Sequence, residues 1–190
     1  MEAVFLGSSQ RIKRLNDSIR SRLDELIERR LWMFVGDANG ADRALQQYLA
    51  NRGYDRVIVY AVSGMLRNNV GHWDVRCIDA PIKARGFALY SVKDAQMAKD
   101  ASYGLMLWDG KSRGTLENVH NLLAHNKPVA VHLGPERRFV SLRSTEDLQK
   151  LGIALKTNAR RQGELPFDAS AGPGQDPAYS LPSNETRLSK

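Results

Sequence analysis

The sequence predicts a three-layer α/β sandwich of Rossmann-like type, with a mainly parallel central sheet of about five strands. Three observations carry this. Short apolar, β-rich runs alternate with amphipathic stretches over residues 1–156. Those runs are continuous rather than alternating, as in strands buried on both faces. Three of them end in short turns rich in Gly, Ser and Asp that lead straight into a helix pattern.

The elements follow in order. "AVFLG" reads as a first buried strand, and Ile12, Leu15, Ile19, Leu23 and Ile27 then recur every three or four residues, which marks one face of a helix. "LWMFVG" is a second strand. "GADRALQQYLANRG" is a second helix, closed by Gly53 as a C-cap. "RVIVYAV" is a third strand. The segment "SGMLRNNVGHWDVRCIDAPIKARG" has little periodicity and is read as irregular. "FALY" is a candidate short strand and "SVKDAQMAKDA" a helix capped by Ser91. "YGLMLWD" and "PVAVHL" are strands flanking the helix "TLENVHNLLAHN", and "RFVSL" with "STEDLQKLG" gives a last strand and a capped helix. Strands alternating with helices imply right-handed βαβ units. From residue 157 to 190 the chain turns rich in Pro, Gly, Ser and charge, with little to bury, and is expected to be a flexible or partner-ordered tail.

Composition excludes several classes. The 190 residues are 42% hydrophobic and 26% charged, as in an ordinary globular domain. No apolar run nears the ~20 residues of a membrane span, and the N-terminus reads as a strand rather than a signal segment. The single cysteine, Cys77, cannot form an internal disulfide and has no neighbouring base, so it is read as structural in a reducing cytoplasm. A net charge of +7 suits anionic partners. In "RIKRLNDSIRSRLDELIERR", however, bases and acids mix at helical spacing, as on a solvated helix face. Nucleic acid is therefore a possible but not a favoured partner, and a homo-oligomer stays open. His72, His120, His125 and His132 lack metal-ligand spacing with Cys77, so neither a metal nor another cofactor is expected.

In open parallel sheets ligands bind at the carboxyl ends of the strands. The three turns expected there are "FLGSSQR", with Gly7, Ser8 and Ser9; "FVGDANGADR", with Gly36, Asp37, Gly40, Ala41 and Asp42; and "DGKSRGT", with Asp109, Ser112, Arg113, Gly114 and Thr115. Each opens a helix, whose free N–H groups and dipole favour an anion. Gly, Ser and Asp also serve simply to turn and cap, and that reading stands beside the ligand one. None of the turns has P-loop or GxGxxG spacing, which argues against ATP hydrolysis and dinucleotide redox chemistry. His72 and Trp73 form a packing pair or a wall over the site, Trp108 lines the pocket or covers the sheet edge, and Tyr60 and Tyr90 are expected in the core.

Taken together, "GSS", "GDANGADR", the "KDxxMxxxA" pattern of Lys93, Asp94, Met97 and Ala98, and "DGKSRGT" resemble the SLOG superfamily over residues 1 to 155. The resemblance is nearest to the bacterial family catalogued as domain of unknown function 2493. Relatives of that group include the Lonely-guy phosphoribohydrolases, the DNA-processing protein A domain and the nucleoside 2-deoxyribosyltransferases. The resemblance implies a pocket for a nucleotide or nucleotide-derived phosphorylated ligand across the three turns, with Gly114 and Thr115 in the phosphate-binding turn. The enzymatic relatives carry GTxxE; here the register Gly114, Thr115, Leu116, Glu117, Asn118 puts asparagine at the glutamate position. Asn118 cannot act as a carboxylate nucleophile. The expected function is therefore ligand binding as a sensor or signalling module, with Asn118 among the ligand contacts. The alternatives are an N-glycoside hydrolase or transferase using Asp42, Asp109 or Glu117, and a nucleic-acid- or partner-binding adaptor.

Overall fold

The structure, a computed structural model, describes residues 1–152 of the chain, and residues Met1–Lys150 form one compact unit. The expected tail over 157–190 lies outside the described residues. The strands are β1 (Ala3–Ser8), β2 (Trp32–Gly36), β3 (Val57–Val62), β4 (Asp74–Ile78), β5 (Tyr103–Trp108), β6 (Val129–Leu133) and β7 (Arg138–Leu142). They make one sheet of seven strands in the order β4-β3-β2-β1-β5-β6-β7. Every neighbouring pair is parallel except β6 and β7, which form an antiparallel hairpin.

Four helices, α1 (Asp17–Glu28), α2 (Ala41–Asn51), α3 (Gly86–Asp100) and α4 (Arg113–Ala124), connect the parallel strands. Alternation along the strands sorts the layers. Val4 and Leu6, Met33 and Val35, Val57 and Val59, and Leu105 and Leu107 share one core with Ile19 and Leu23 of α1 and Leu45 and Leu49 of α2. The other face carries Phe5, Phe34, Tyr60 and Met106, buried like Met97 of α3 and Val119 and Leu122 of α4. The α/β sandwich expected from the alternation is the fold observed, with a wider sheet than expected.

The differences have local causes. β4 falls inside the segment read as irregular. It is the edge strand, its Asp74, Arg76 and Cys77 are exposed, and only pairing to β3 from Ile58↔Asp74 to Val62↔Ile78 defines it. Cys77 is thus an exposed free thiol rather than a packed structural residue. "FALY" is the first turn of α3, because a short apolar run cannot be told from a helix by periodicity alone. Ser91 sits inside that helix and donates its hydroxyl to the Ala88 carbonyl (3.2 Å) instead of capping. α1 starts at Asp17, because the Asn16 side chain accepts the Ile19 N–H (2.9 Å) as N-cap; Ile12 and Leu15 pack from the preceding connection. A last helix, over 145–152, opens on a capping box in which the Ser144 hydroxyl accepts the Asp147 N–H and the Asp147 carboxylate accepts the Ser144 N–H, both at 3.3 Å.

Strand order reverses between β1 and β5: the chain fills the sheet outward from β1 to β4, then returns through α3 to β5 on the other side of β1. This is the topological switch point, where an open α/β sheet leaves a crevice at its carboxyl edge.

Candidate functional site

The three sequence-predicted turns meet at that edge. Ser9, just past β1, donates its hydroxyl to Asp109 Oδ2 (2.9 Å) beyond β5, and Arg11 Nη1 pairs with the same oxygen at 3.1 Å. Gly40, at φ 82°, lies so close to the first turn that a Cβ there would fall 2.1 Å from the Gln10 carbonyl oxygen, so only glycine fits. First and third turns are bridged by side chains, and first and second by backbone packing.

Around β2 the charges are buried. Asp37 and Lys93 are 1% and 4% exposed, and Asp42 is buried beside them. Lys93 Nζ bonds Asp94 Oδ1 at 2.7 Å and lies 3.9 Å from Asp37 Oδ1. Burial works to strip the Lys93 charge, but the carboxylates of Asp94, Asp42 and Asp37 outweigh it and hold the ammonium above the ordinary lysine range. Asp37 also takes Arg67 Nη2 at 2.9 Å, Arg67 Nε at 3.2 Å and the Arg67 backbone N–H at 3.1 Å. The Arg67 guanidinium stacks 4.5 Å over the Tyr90 ring. Gln46 stitches the same region, donating to the Gly36 carbonyl (2.8 Å) and accepting from the Val70 N–H (2.9 Å). Gly36 itself makes room for this cluster, since a Cβ would come within 2.3 Å of Asp42 Oδ2 and 2.9 Å of Lys93 Nζ.

The β5 turn is built differently. Asp109 Oδ1 accepts the N–H groups of Lys111 (3.0 Å) and Ser112 (2.7 Å), and Ser112 Oγ accepts the Thr115 N–H at 3.3 Å as N-cap of α4. Burial alone would raise the Asp109 pKa; these N–H groups with Ser9 and Arg11 overcome it and hold the carboxyl below the usual range. Thr115 is buried and donates its hydroxyl to Ser112 Oγ (3.0 Å), while Ser112, Arg113 and Gly114 remain partly open. The exposed Phe87 ring of α3 reaches Gly114, with Cε2 3.4 Å from where a Cβ would stand. Phe87, Met65, Leu66 and Ile82, all near this edge, are among the exposed large hydrophobic residues, and a cavity of about 480 Å³ opens beside Met65, Ile82 and Leu89.

The predicted residues thus divide. Gly7 is packed against Met106, whose Sδ would be 2.4 Å from a Cβ, so that glycine has a core reason. Ser8 closes β1, and Ala41 opens α2. Ser9, Gly36, Asp37, Ala41, Asp42, Thr115 and Asn118 are buried, and Ser112, Arg113, Gly114, Asp109 and Glu117 are partly accessible. Asp42 accepts the Ala38 N–H (3.2 Å) and belongs to the Lys93 cluster, and Asp109 organises the α4 turn. Glu117 has a different carboxylate neighbour. Burial first, and the charge of Asp94 second, push its pKa up, with Arg113 opposing. Asn118 Nδ2 lies 3.4 Å from Asp94 Oδ2. Lys93 and Asp94, which entered the sequence reading as part of the α3 motif and not as site residues, and Arg67, which it did not single out, join the carboxyl edge in the structure. For Lys93 a signal existed: Met97 and Lys93 are one turn apart, so both share the buried stripe of α3. His72 and Trp73 make no wall over the site; Trp73 packs on the core of α1 and α2 and donates its indole N–H to the Tyr54 carbonyl at 2.8 Å. Trp108 is buried, its indole N–H on the Ser112 carbonyl (3.1 Å), bracing the same turn. Tyr60 is in the core as expected, whereas Tyr90 is half-buried.

Among the described residues no helix is long and apolar enough to cross a membrane. The chain matches no protein-family model, and a search of curated proteins finds no relative. Fold and edge geometry therefore define an open α/β protein whose three Gly-, Ser- and Asp-rich turns meet at the switch point.

Proposed function

We propose that this protein binds a nucleotide or nucleotide-derived phosphorylated ligand at the carboxyl edge of the sheet, as a SLOG-like sensor or signalling module. One observation carries the reading. At the switch point the first turn of α4 presents Ser112, Arg113 and Gly114 partly open, with the exposed Phe87 ring lying against Gly114. The helix dipole and the Arg113 guanidinium favour a phosphate there. The aromatic ring beside it suits a base. The buried Lys93 cluster holds the turn of β2 in shape beneath.

The test compares nucleoside monophosphates with the matching nucleosides by thermal shift and calorimetry. The proposal expects stabilisation that depends on the phosphate and is lost in Arg113→Ala and Gly114→Asp. Phosphate-independent shifts, or shifts unchanged in both variants, would sink it.

A second reading, cleavage or transfer at an N-glycosidic bond, is favoured by the Glu117–Asp94 pairing across α3 and α4. A carboxyl with a raised pKa beside a carboxylate held by Lys93 is the pairing of acid and anion that glycoside chemistry uses. This reading expects free base on incubation with nucleosides or nucleotides, and a loss of at least about a hundredfold in rate in Glu117→Gln or Asp94→Asn. No base release from any substrate in the wild type leaves binding as the function.

A further inference from the structure

A groove of about 260 Å³ opens at the amino ends of the strands, on the face that α1 covers. It lies roughly 15–20 Å from the carboxyl edge, the span of strands of five or six residues at about 3.3 Å each. Its origin is topological. β6 returns directly into the antiparallel β7 instead of into a crossover helix, and among the described residues α1 forms one wall of the groove.

The floor is apolar, made of Val4, Leu105 and Ala130, with the half-buried Tyr103 at one end. Three arginines from separate places reach the groove: Arg22 within α1, Arg29 at its C-cap and Arg143 after β7, and no acidic residue is among the described residues that line it. Arg22 is already committed, pairing with Glu25 at 2.9 Å and stacking 5.3 Å over Phe139. The Tyr103 hydroxyl is likewise engaged, donating to Glu2 at 3.2 Å. Arg29 and Arg143 have no ion-pair partner among the described residues. Arg29 also suits the negative end of the α1 dipole, but that role does not place Arg143 on the same groove.

We propose that this groove is a second binding site, for a small organic acid with an apolar body and a terminal carboxylate. The volume falls just under the roughly 300–1,000 Å³ that holds drug-sized ligands, and at about 30 Å³ per water-sized group it takes about eight to ten non-hydrogen atoms. An inorganic anion would leave the apolar floor wet, and a neutral hydrocarbon would leave two guanidinium groups facing it without a counter-ion. A carboxylate on an apolar body meets both, because guanidinium and carboxylate pair through two parallel hydrogen bonds. The site stands apart from the carboxyl edge, so it holds or fails independently of the nucleotide reading.

The test titrates the full 190-residue chain with octanoate and phenylacetate, and with the corresponding amides, following backbone amide resonances by NMR. The acids are expected to move Tyr103, Ala130 and Ser141 and to leave Gly114 and Thr115 in place. The amides bind about tenfold more weakly, the worth of a charge-assisted hydrogen bond. Arg29→Gln and Arg143→Gln, both at exposed positions, bring the acids down to the affinity of the amides. Ala130→Leu, which fills the floor, abolishes the shifts. Equal affinity for acid and amide, unchanged binding in both arginine variants, or no movement at these three residues overturns the proposal. Movement there with an acidic peptide and with neither acid overturns it too, and gives the groove to a protein partner.

Discussion

The two halves of the carboxyl edge use the same residue types to opposite ends. On the β2 side, Asp37, Asp42, Lys93 and Asp94 form a largely buried cluster bound to Arg67, Ala38 and one another. On the β5 side, Asp109, Ser112 and Thr115 shape a helix start whose Arg113 and Gly114 are partly open. Buried charge is costly unless fully paired, so the first half has the character of scaffold. A partly open helix N-terminus costs little and favours an anion, which is the proposed role of the second half as receptor. A turn rich in Gly, Asp and Ser can therefore be either, and what differs between the two is how deeply its polar groups are buried.

The largest effect that can break this comparison is at Lys93. Lys93→Met leaves the carboxylates of Asp37, Asp42 and Asp94 with one cation fewer in a buried site, and is expected to cost about 3–5 kcal/mol by urea unfolding. A Lys93→Met protein of unchanged stability that had lost nucleotide binding would move Lys93 from the scaffold to the receptor. A smaller effect sharpens the other half. Ser112→Ala removes the cap that holds the Thr115 N–H and is expected to cost about 1 kcal/mol, with weaker ligand binding because the turn loosens.

Smaller still is a pH effect that neither half should produce. His132 is buried, and Asn16 Nδ2 faces its Nε2 at 3.3 Å. The Asn16 oxygen already accepts from Ser18 and Ile19, so the Asn16 amide donates and Nε2 must accept. The proton then sits on Nδ1, a buried atom with no partner among the described residues. Burial holds the folded-state pKa below the ordinary histidine value, so under acid conditions the unfolded chain takes up the proton first. Stability is complete above about pH 6.5, the unfolded value, and declines as pH falls below it toward the folded pKa. His132→Gln is expected to flatten that part of the stability–pH curve. An unaltered slope would assign the titration elsewhere.

Much of the fold could be read from residues because its strands are buried on both faces and so form continuous apolar runs: β1, β2, β3, β5 and β6 all did. β4 could not, because an edge strand with Asp74, Arg76 and Cys77 exposed owes its conformation to pairing with β3 rather than to its own pattern. The first turn of α3 was misread for the opposite reason: Phe87, Leu89 and Tyr90 look like a core strand and are only half-covered or exposed. At the site, the turns were visible as compositions. Which glycine answers to Met106 and which to a ligand was not, since that depends on a neighbour some hundred positions away in the chain. Arg67 was hidden likewise: nothing near it in sequence shows that Asp37 waits across the edge.

The measurement that bears most directly on the receptor half is the thermal shift of Gly114→Asp with a nucleoside monophosphate. An aspartate in the first turn of α4 suits the helix dipole, and the nearest obstacle, Phe87, is 3.4 Å from the new Cβ, so stability should stay within about 0.5 kcal/mol of the wild type. Its charge would occupy the position of the phosphate. The account predicts a folded protein that no longer responds to the nucleotide, while the wild type is stabilised by the nucleotide and not by the nucleoside. A nucleotide shift of full size in Gly114→Asp would contradict it.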